Sequence, residues 1–204
     1  MNIDDGFLLR QGLSRARFEE AMLHIELKAA LARERLGRLW EKLDLTSYDA
    51  YVGHSGGKDS VTICNLVDTT LPGNDLLRIH TPKPEATHPD TVTFLYALHK
   101  PVLYCPAEEH SRIGVRVQID GTRIFEHDRR DGRSTDVMID GRSMSREHLP
   151  LYVKHGLFGL SFIYPIYDWT DADVWAYIVA NNIPFSKEYL TNDTNADSGT
   201  ACRR

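Results

Sequence analysis

Val52-Gly53-His54-Ser55-Gly56-Gly57-Lys58-Asp59-Ser60 gathers glycines, hydroxyls, a cation and a carboxylate into one short stretch. Glycine lets a backbone turn sharply and lets an anion approach the amide N–H groups. A helix opening directly after such a turn adds its unpaired first-turn N–H groups and the positive end of its dipole. The chemistry is therefore anion binding, that of a phosphate loop. Ser55 and Ser60 add hydroxyl donors and Lys58 adds a positive charge. Asp59 either holds a metal ion or its water, or simply caps the helix. The spacing is shorter than the G-x-x-x-x-G-K-[ST] phosphate loop, so this is a different device.

A second feature is the arginines. Eight fall between positions 112 and 146 (Arg112, Arg116, Arg123, Arg129, Arg130, Arg133, Arg142 and Arg146), with no Lys among them. The planar guanidinium suits phosphate and sulfate oxygens. Six interleaved acids, with Glu147 directly after the last Arg, leave a solvated surface as the other reading. His80, His88, His99 and His110 are spaced eight, eleven and eleven apart, which matches no familiar zinc pattern. His54 either contacts a ligand or ends a strand. Cys64, Cys105 and Cys202 form neither a disulfide framework nor a C-x-x-C site.

These residues need a scaffold, and the pattern of the chain supplies one. Phe18, Met22, Ile25, Ala29, Ala32, Leu36, Leu39 and Leu43 alternate spacings of four and three, an apolar stripe on an amphipathic helix with Ser14 as N-cap. Packing of that helix within the chain is preferred over a dimer seam. From Tyr48 the texture becomes strand, turn, helix. Tyr48–Gly53, Leu76–His80 and Val102–Cys105 read as strands, separated by helices over Val61–Leu71 and Pro89–His99. A β-α-β-α-β order implies a parallel sheet. Further on, Val115–Ile119 and Phe162–Ile166 alternate or run apolar like strands, and Val137-Met138-Ile139 before Asp140-Gly141 suggests a hairpin. Thr170-Asp171-Ala172-Asp173 is a capping-box sequence opening a helix through Val179. Asp168 and Asp173 read as caps, and Trp169 and Trp175 as core.

Composition sets the limits. The chain has 204 residues, 42% hydrophobic and 26% charged, with a net charge of −5. Those values exclude a fibrous or disordered chain and argue against wholesale nucleic-acid binding. No apolar run approaches the ~18–20 residues that span a bilayer. The acidic N-terminus and the few cysteines read as a reduced, cytoplasmic protein without a membrane partner.

Ser55 to Ser60 resembles the PP-loop of the N-type ATP pyrophosphatases, a signature shared with phosphoadenosine phosphosulfate reductases and other nucleotide enzymes. Three segments are similar to the phosphosulfate reductase branch. Ile79-His80-Thr81 with Thr87-His88-Pro89-Asp90-Thr91 resembles the strand and "PET" segment, with Asp90 where Glu is usual. Asp120 to Arg129 resembles "G-x-R-x-x-E-S-x-x-R", with His127 where Ser is usual and either Arg129 or Arg130 as the last Arg. Tyr164 to Trp175 resembles "P-I-x-x-W-x-x-x-D-V-W".

The resemblance, over Tyr48 to Tyr189, implies a Rossmann-like α/β parallel sheet with flanking helices, of the adenine nucleotide α-hydrolase type. Residues 1–47 form an N-terminal helix packing on the domain, 48–190 the nucleotide-binding domain, and 191–204 a polar tail. It implies a nucleotide on Ser55, Gly56, Gly57, Lys58, Asp59 and Ser60, with Arg123 on phosphate or sulfonate oxygens. Glu126 orients Arg123, and Arg129 is a further ligand. Lys58, Asp59 and Arg123 are the expected catalytic residues, and Asp59 the ligand of Mg²⁺. The favoured activity is cleavage of the α–β phosphoanhydride of ATP, with AMP passed to an acceptor the sequence does not name. One alternative is thiol-dependent reduction of phosphoadenosine phosphosulfate, by Cys202 or a partner's cysteine. Another is a nucleotide-binding subunit without chemistry; a homodimer or protein partner stays open. The family's C-terminal Glu-Cys-Gly is not found; Cys202 stands before Arg203 and Arg204, which would lower a thiol pKa. Three cysteines are too few for a four-cysteine iron–sulfur cluster.

Overall fold

The computed structural model describes residues 3–71, 73, 75–81, 84–106, 115, 117–123, 137–139, 142–144, 153–155 and 161–191. Helices α1 (Asp5–Arg10) and α2 (Arg15–Lys42) precede an alternating series: β1 (Ala50–Gly53), α3 (Lys58–Thr70), β2 (Leu77–His80), α4 (Pro89–Tyr96) and β3 (Val102–Tyr104). After these come β4 (Val117–Ile119), β5 (Val137–Ile139), β6 (Arg142–Met144), β7 (Val153–His155), β8 (Ser161–Ile163) and α5 (Asp171–Ala180). A 3₁₀ turn, Lys187–Leu190, follows α5.

The main sheet has the order β3-β2-β1-β4-β8-β7. Its first five strands are parallel, and β7 is an antiparallel edge on β8. The chain steps outward from β1 to β3, then returns to the other side of β1 for β4. Strand order therefore reverses between β1 and β4, which opens a crevice beyond their C-terminal ends. The expected hairpin is present as a separate pair, with Val137 opposite Met144 and Ile139 opposite Arg142.

α2 begins at the Ser14 cap, whose hydroxyl accepts from the Arg17 N–H. Phe18, Ala21, Ile25, Ala29, Ala32, Leu36 and Leu39 are buried, and the stripe lies on α5 and α3. Small Ala29 and Ala32 allow close approach to α5. Charged pairs at the edge fix the register: Lys28 Nζ to Asp173 at 2.6 Å, and Arg35 on both oxygens of Asp168 at 2.7 and 2.8 Å. Trp169 and Trp175 are core residues, and Phe7 of α1 meets Trp175 edge-on at 4.9 Å. No helix among the described residues is long and apolar enough to cross a membrane.

Several segments differ from the sequence expectation, and β7 has no counterpart in it. A short α1 precedes the long helix, because Asp4 accepts from the Phe7 N–H and caps it. The strand expected to reach Ile166 stops at Ile163, since Pro165 lies in a turn closed by Tyr167 N–H to the Tyr164 carbonyl. Helix α4 ends at Tyr96, short of His99.

Candidate functional site

β1 delivers the chain to His54, whose ring is buried behind the loop. Its Nδ1 accepts the Gly56 N–H at 3.2 Å, which places the ring proton on Nε2. Gly56 sits at φ +84°, and a Cβ there would lie 2.3 Å from Thr91 Cγ2 of α4. Both the backbone and the neighbouring helix therefore demand glycine. Gly57 has an ordinary φ of −75° and is the N-cap of α3, with no side chain to cap the helix. Gly57 N–H donates to Ser55 Oγ at 3.3 Å, and Ser60 Oγ donates to the Gly57 carbonyl at 2.8 Å. Lys58 N–H donates to Tyr189 Oη at 3.1 Å. The N–H groups of Asp59 and Ser60 have no acceptor among the described residues. A helix start of this kind is an open seat for an anion.

From the other side of the crevice, the turn after β4 presses on the same helix start. A Cβ on Gly121 would lie 2.9 Å from the Asp59 carbonyl group. Asp120 Oδ1 accepts from Thr122 N–H and Oγ1 at 2.8 and 2.6 Å, which shapes that turn. It aims Arg123 inward. The buried guanidinium lies 2.9 Å from Asp59 Oδ1 through Nε, off-line for a hydrogen bond, and donates to Asp171 Oδ1 at 3.0 Å. Lys58 Nζ completes a ring of four charges, 3.1 Å from both Asp59 Oδ2 and Asp171 Oδ1. Burial alone would lower the Lys58 pKa, but Asp59 and Asp171 outweigh it and hold the ammonium above its ordinary value. Burial likewise works to raise the Asp171 carboxyl, but Lys58 and Arg123 outweigh it and hold the carboxyl below its ordinary value.

The structure thus brings Ser55, Gly56, Gly57, Lys58, Asp59, Ser60 and Arg123 together. Glu126, Arg129 and Cys202 lie outside the described residues. Asp171 and Tyr189 belong to the cluster and were missed in the sequence. Thr170 and Asp173 form the capping box, which leaves Asp171 turned toward Lys58. A pair of acids in that first turn was the available signal for Asp171; Tyr189 had none. His80 Nδ1 donates to the His54 carbonyl at 3.0 Å, and His88 caps α4, so both serve the scaffold.

Mg²⁺ fits this donor set poorly. Both oxygens of Asp59 face cations, and a divalent ion beside Lys58 and Arg123 would meet strong repulsion. Among the described residues no three His, Cys, Asp or Glu side chains are grouped to hold a metal.

His54 has a consequence for stability. Burial, with Arg78 and His80 adding, lowers its pKa to about 3, against roughly 6.5 in an unfolded chain. Between those values the unfolded chain binds one proton more, so stability falls as pH falls through that window. The slope from this group is about 1.4 kcal/mol per pH unit. Urea unfolding at pH 7, 6 and 5 should show this dependence reduced by close to one proton in His54→Asn; an unchanged slope would mean that His54 titrates alike in the folded and unfolded chain.

Comparison with known proteins gives three findings. The model of the phosphoadenosine phosphosulfate reductase domain matches residues 50–191. Adenosine 5'-phosphosulfate reductases of Neisseria meningitidis serogroups A and B are 42% identical over 48 residues, 24% of this chain and 20% of theirs. The chain therefore matches only about a fifth of the length of those curated relatives. Among solved structures, the FMN adenylyltransferase of Candida glabrata in complex with FAD and inorganic pyrophosphate has a TM-score of 0.58 at 13% identity, covering 85% of this chain and 65% of that one. The phosphoadenylyl-sulfate reductase of Candida auris has a TM-score of 0.48 at 17% identity, covering 86% and 91%. The adenylyltransferase likeness is one of fold: a parallel sheet with flanking helices of the adenine nucleotide α-hydrolase kind. With the Ser55–Ser60 loop at the β1 edge and the family model spanning the sheet around it, the chain belongs to the phosphoadenosine phosphosulfate reductase-like family of the PP-loop superfamily.

Proposed function

We propose that the chain binds an adenine nucleotide with its anionic end on the first turn of α3, and that it breaks the bond joining that end to the α-phosphate. One observation carries this reading: the Asp59 and Ser60 N–H groups have no acceptor among the described residues and stand beside Lys58 and Arg123. Family membership and the reductase relatives favour a sulfonucleotide, so the anion is a sulfate on phosphorus. A thiolate would attack the sulfur, the sulfur–oxygen bond to the nucleotide would break, and the nucleotide phosphate would leave. A second thiol would then release sulfite as a disulfide forms. Lys58 and Arg123 would stabilise charge on the departing oxygen by position alone. Cys64 is unsuited to the attack, because burial pushes its thiol up to about 12. Cys202 or a partner's cysteine would supply the thiol.

Transfer of AMP from ATP, with pyrophosphate released, is the second reading. A polar cavity opening on Lys58 and Arg123 favours it by offering room for an acceptor. The two separate in parallel assays: phosphoadenosine phosphosulfate with a dithiol, scored for sulfite, and α-labelled ATP with Mg²⁺, scored for AMP and pyrophosphate. Sulfite release that ends in Cys202→Ser is the expected result. Pyrophosphate release without sulfite would reverse the preference, and neither product would sink both.

A further inference from the structure

The cavity beside the loop has a volume of about 810 Å³ and is walled by the α1–α2 turn, the first half of α2 and the first turn of α5. Among the described residues it touches the loop through Lys58 and the β4 turn through Arg123. It therefore shares those two cations with the anion seat while lying apart from the loop amides. Among the described residues no Phe, Tyr or Trp lines it.

Its charges divide into matched and unmatched. Lys28 is neutralised by Asp173, while Lys58 and Arg123 share Asp171. Arg17 and Glu20 join no ion pair among the described residues. Their spacing of three puts both on one face of α2, with His24 a turn further on, and all three line the cavity. The walls thus present one unmatched cation and one unmatched anion toward a polar space that opens on the reacting groups.

We infer that this cavity binds the acceptor of the nucleotidyl-transfer reading, a small hydrophilic zwitterion of the amino-acid type, its anionic group on Arg17 and its ammonium on Glu20. The inference rests on Ser55–Ser60 being the nucleotide's anion seat, since only then does the cavity open on the reacting bond. A co-substrate held there would meet the nucleotide at Lys58 and Arg123, from the side away from the loop amides.

Amide and side-chain NMR of the intact chain tests this, with inorganic pyrophosphate filling the loop. L-alanine is the probe, and acetate and ethylammonium are its two halves. L-alanine at millimolar concentrations should shift Arg17, Glu20 and His24 and bind more tightly than either half. Arg17→Ala and Glu20→Gln should each weaken it about three- to fivefold, the scale of one exposed charge pair. Both residues are exposed and on no ion pair, so the fold should persist. Absence of shifts at these residues, shifts that neither variant alters, or acetate matching L-alanine would each overturn the assignment. Failure of pyrophosphate to bind the unmodified protein would instead sink the anion seat.

Discussion

Gly57→Asp is expected to abolish nucleotide binding while leaving the protein as stable as before, or up to about 1 kcal/mol more stable. Gly57 is the N-cap of α3 at an ordinary φ, so a side chain is conformationally acceptable there. An Asp carboxylate at an N-cap accepts from the second and third helical N–H groups, here those of Asp59 and Ser60. It would take the seat of the ligand's anion. Gly56→Ala should behave in the opposite way. Its φ of +84° and the 2.3 Å approach to Thr91 Cγ2 make any Cβ strained, with a stability loss of roughly 2–4 kcal/mol. Calorimetric titration of ATP and of phosphoadenosine phosphosulfate, beside thermal melts of both variants, checks the pair. Undiminished binding by Gly57→Asp would show that the anion sits elsewhere.

Arg123→Ala is expected to damage both stability and binding. The guanidinium is buried between Asp59 and Asp171, and its removal leaves two carboxylates facing Lys58 alone. Breaking a buried pair costs about 3–5 kcal/mol. Asp171 is 51% exposed and partly solvated, which brings the expected loss to roughly 2–3 kcal/mol. A chain of this size should then melt about 5–10 °C lower. Ligand affinity should fall roughly ten- to a hundredfold, since a charge-assisted hydrogen bond is lost. Arg123→Lys should restore part of the affinity, because an ammonium cannot reach Asp59 and Asp171 with a planar fork. Arg142→Ala, on the separate β5–β6 pair, serves as control. Equal losses at Arg123 and Arg142 in titration would mean a diffuse positive field and no defined site.

Local chemistry explains which parts of this molecule could be read without a structure. The α2 stripe, the β1-loop-α3 order, the β5–β6 hairpin and the Thr170–Asp173 capping box all depend on residues within a few positions of one another. Helical period, glycine placement and cap chemistry are short-range quantities, so the sequence carries them openly. The proposed anion seat belongs to the same class: Ser55 to Ser60 and the helix after them are contiguous.

The ends of elements and the ring of charges are different. The Ile163 strand end, the α4 end at Tyr96 and the antiparallel β7 edge depend on which neighbour accepts each N–H, and that neighbour lies far along the chain. Asp171 and Tyr189 reach the loop from more than a hundred residues away, through α5 and the 3₁₀ turn after it. Residue type and order alone allowed the Ser55–Ser60 loop to hold an anion, while Arg123 was singled out from the arginines only by the resemblance to the family. Only the tertiary structure decided that Arg123 and Lys58 are shared between Asp59 and Asp171, because the reversal of strand order at β1 and β4 is what brings those carboxylates within 3.1 Å of both cations.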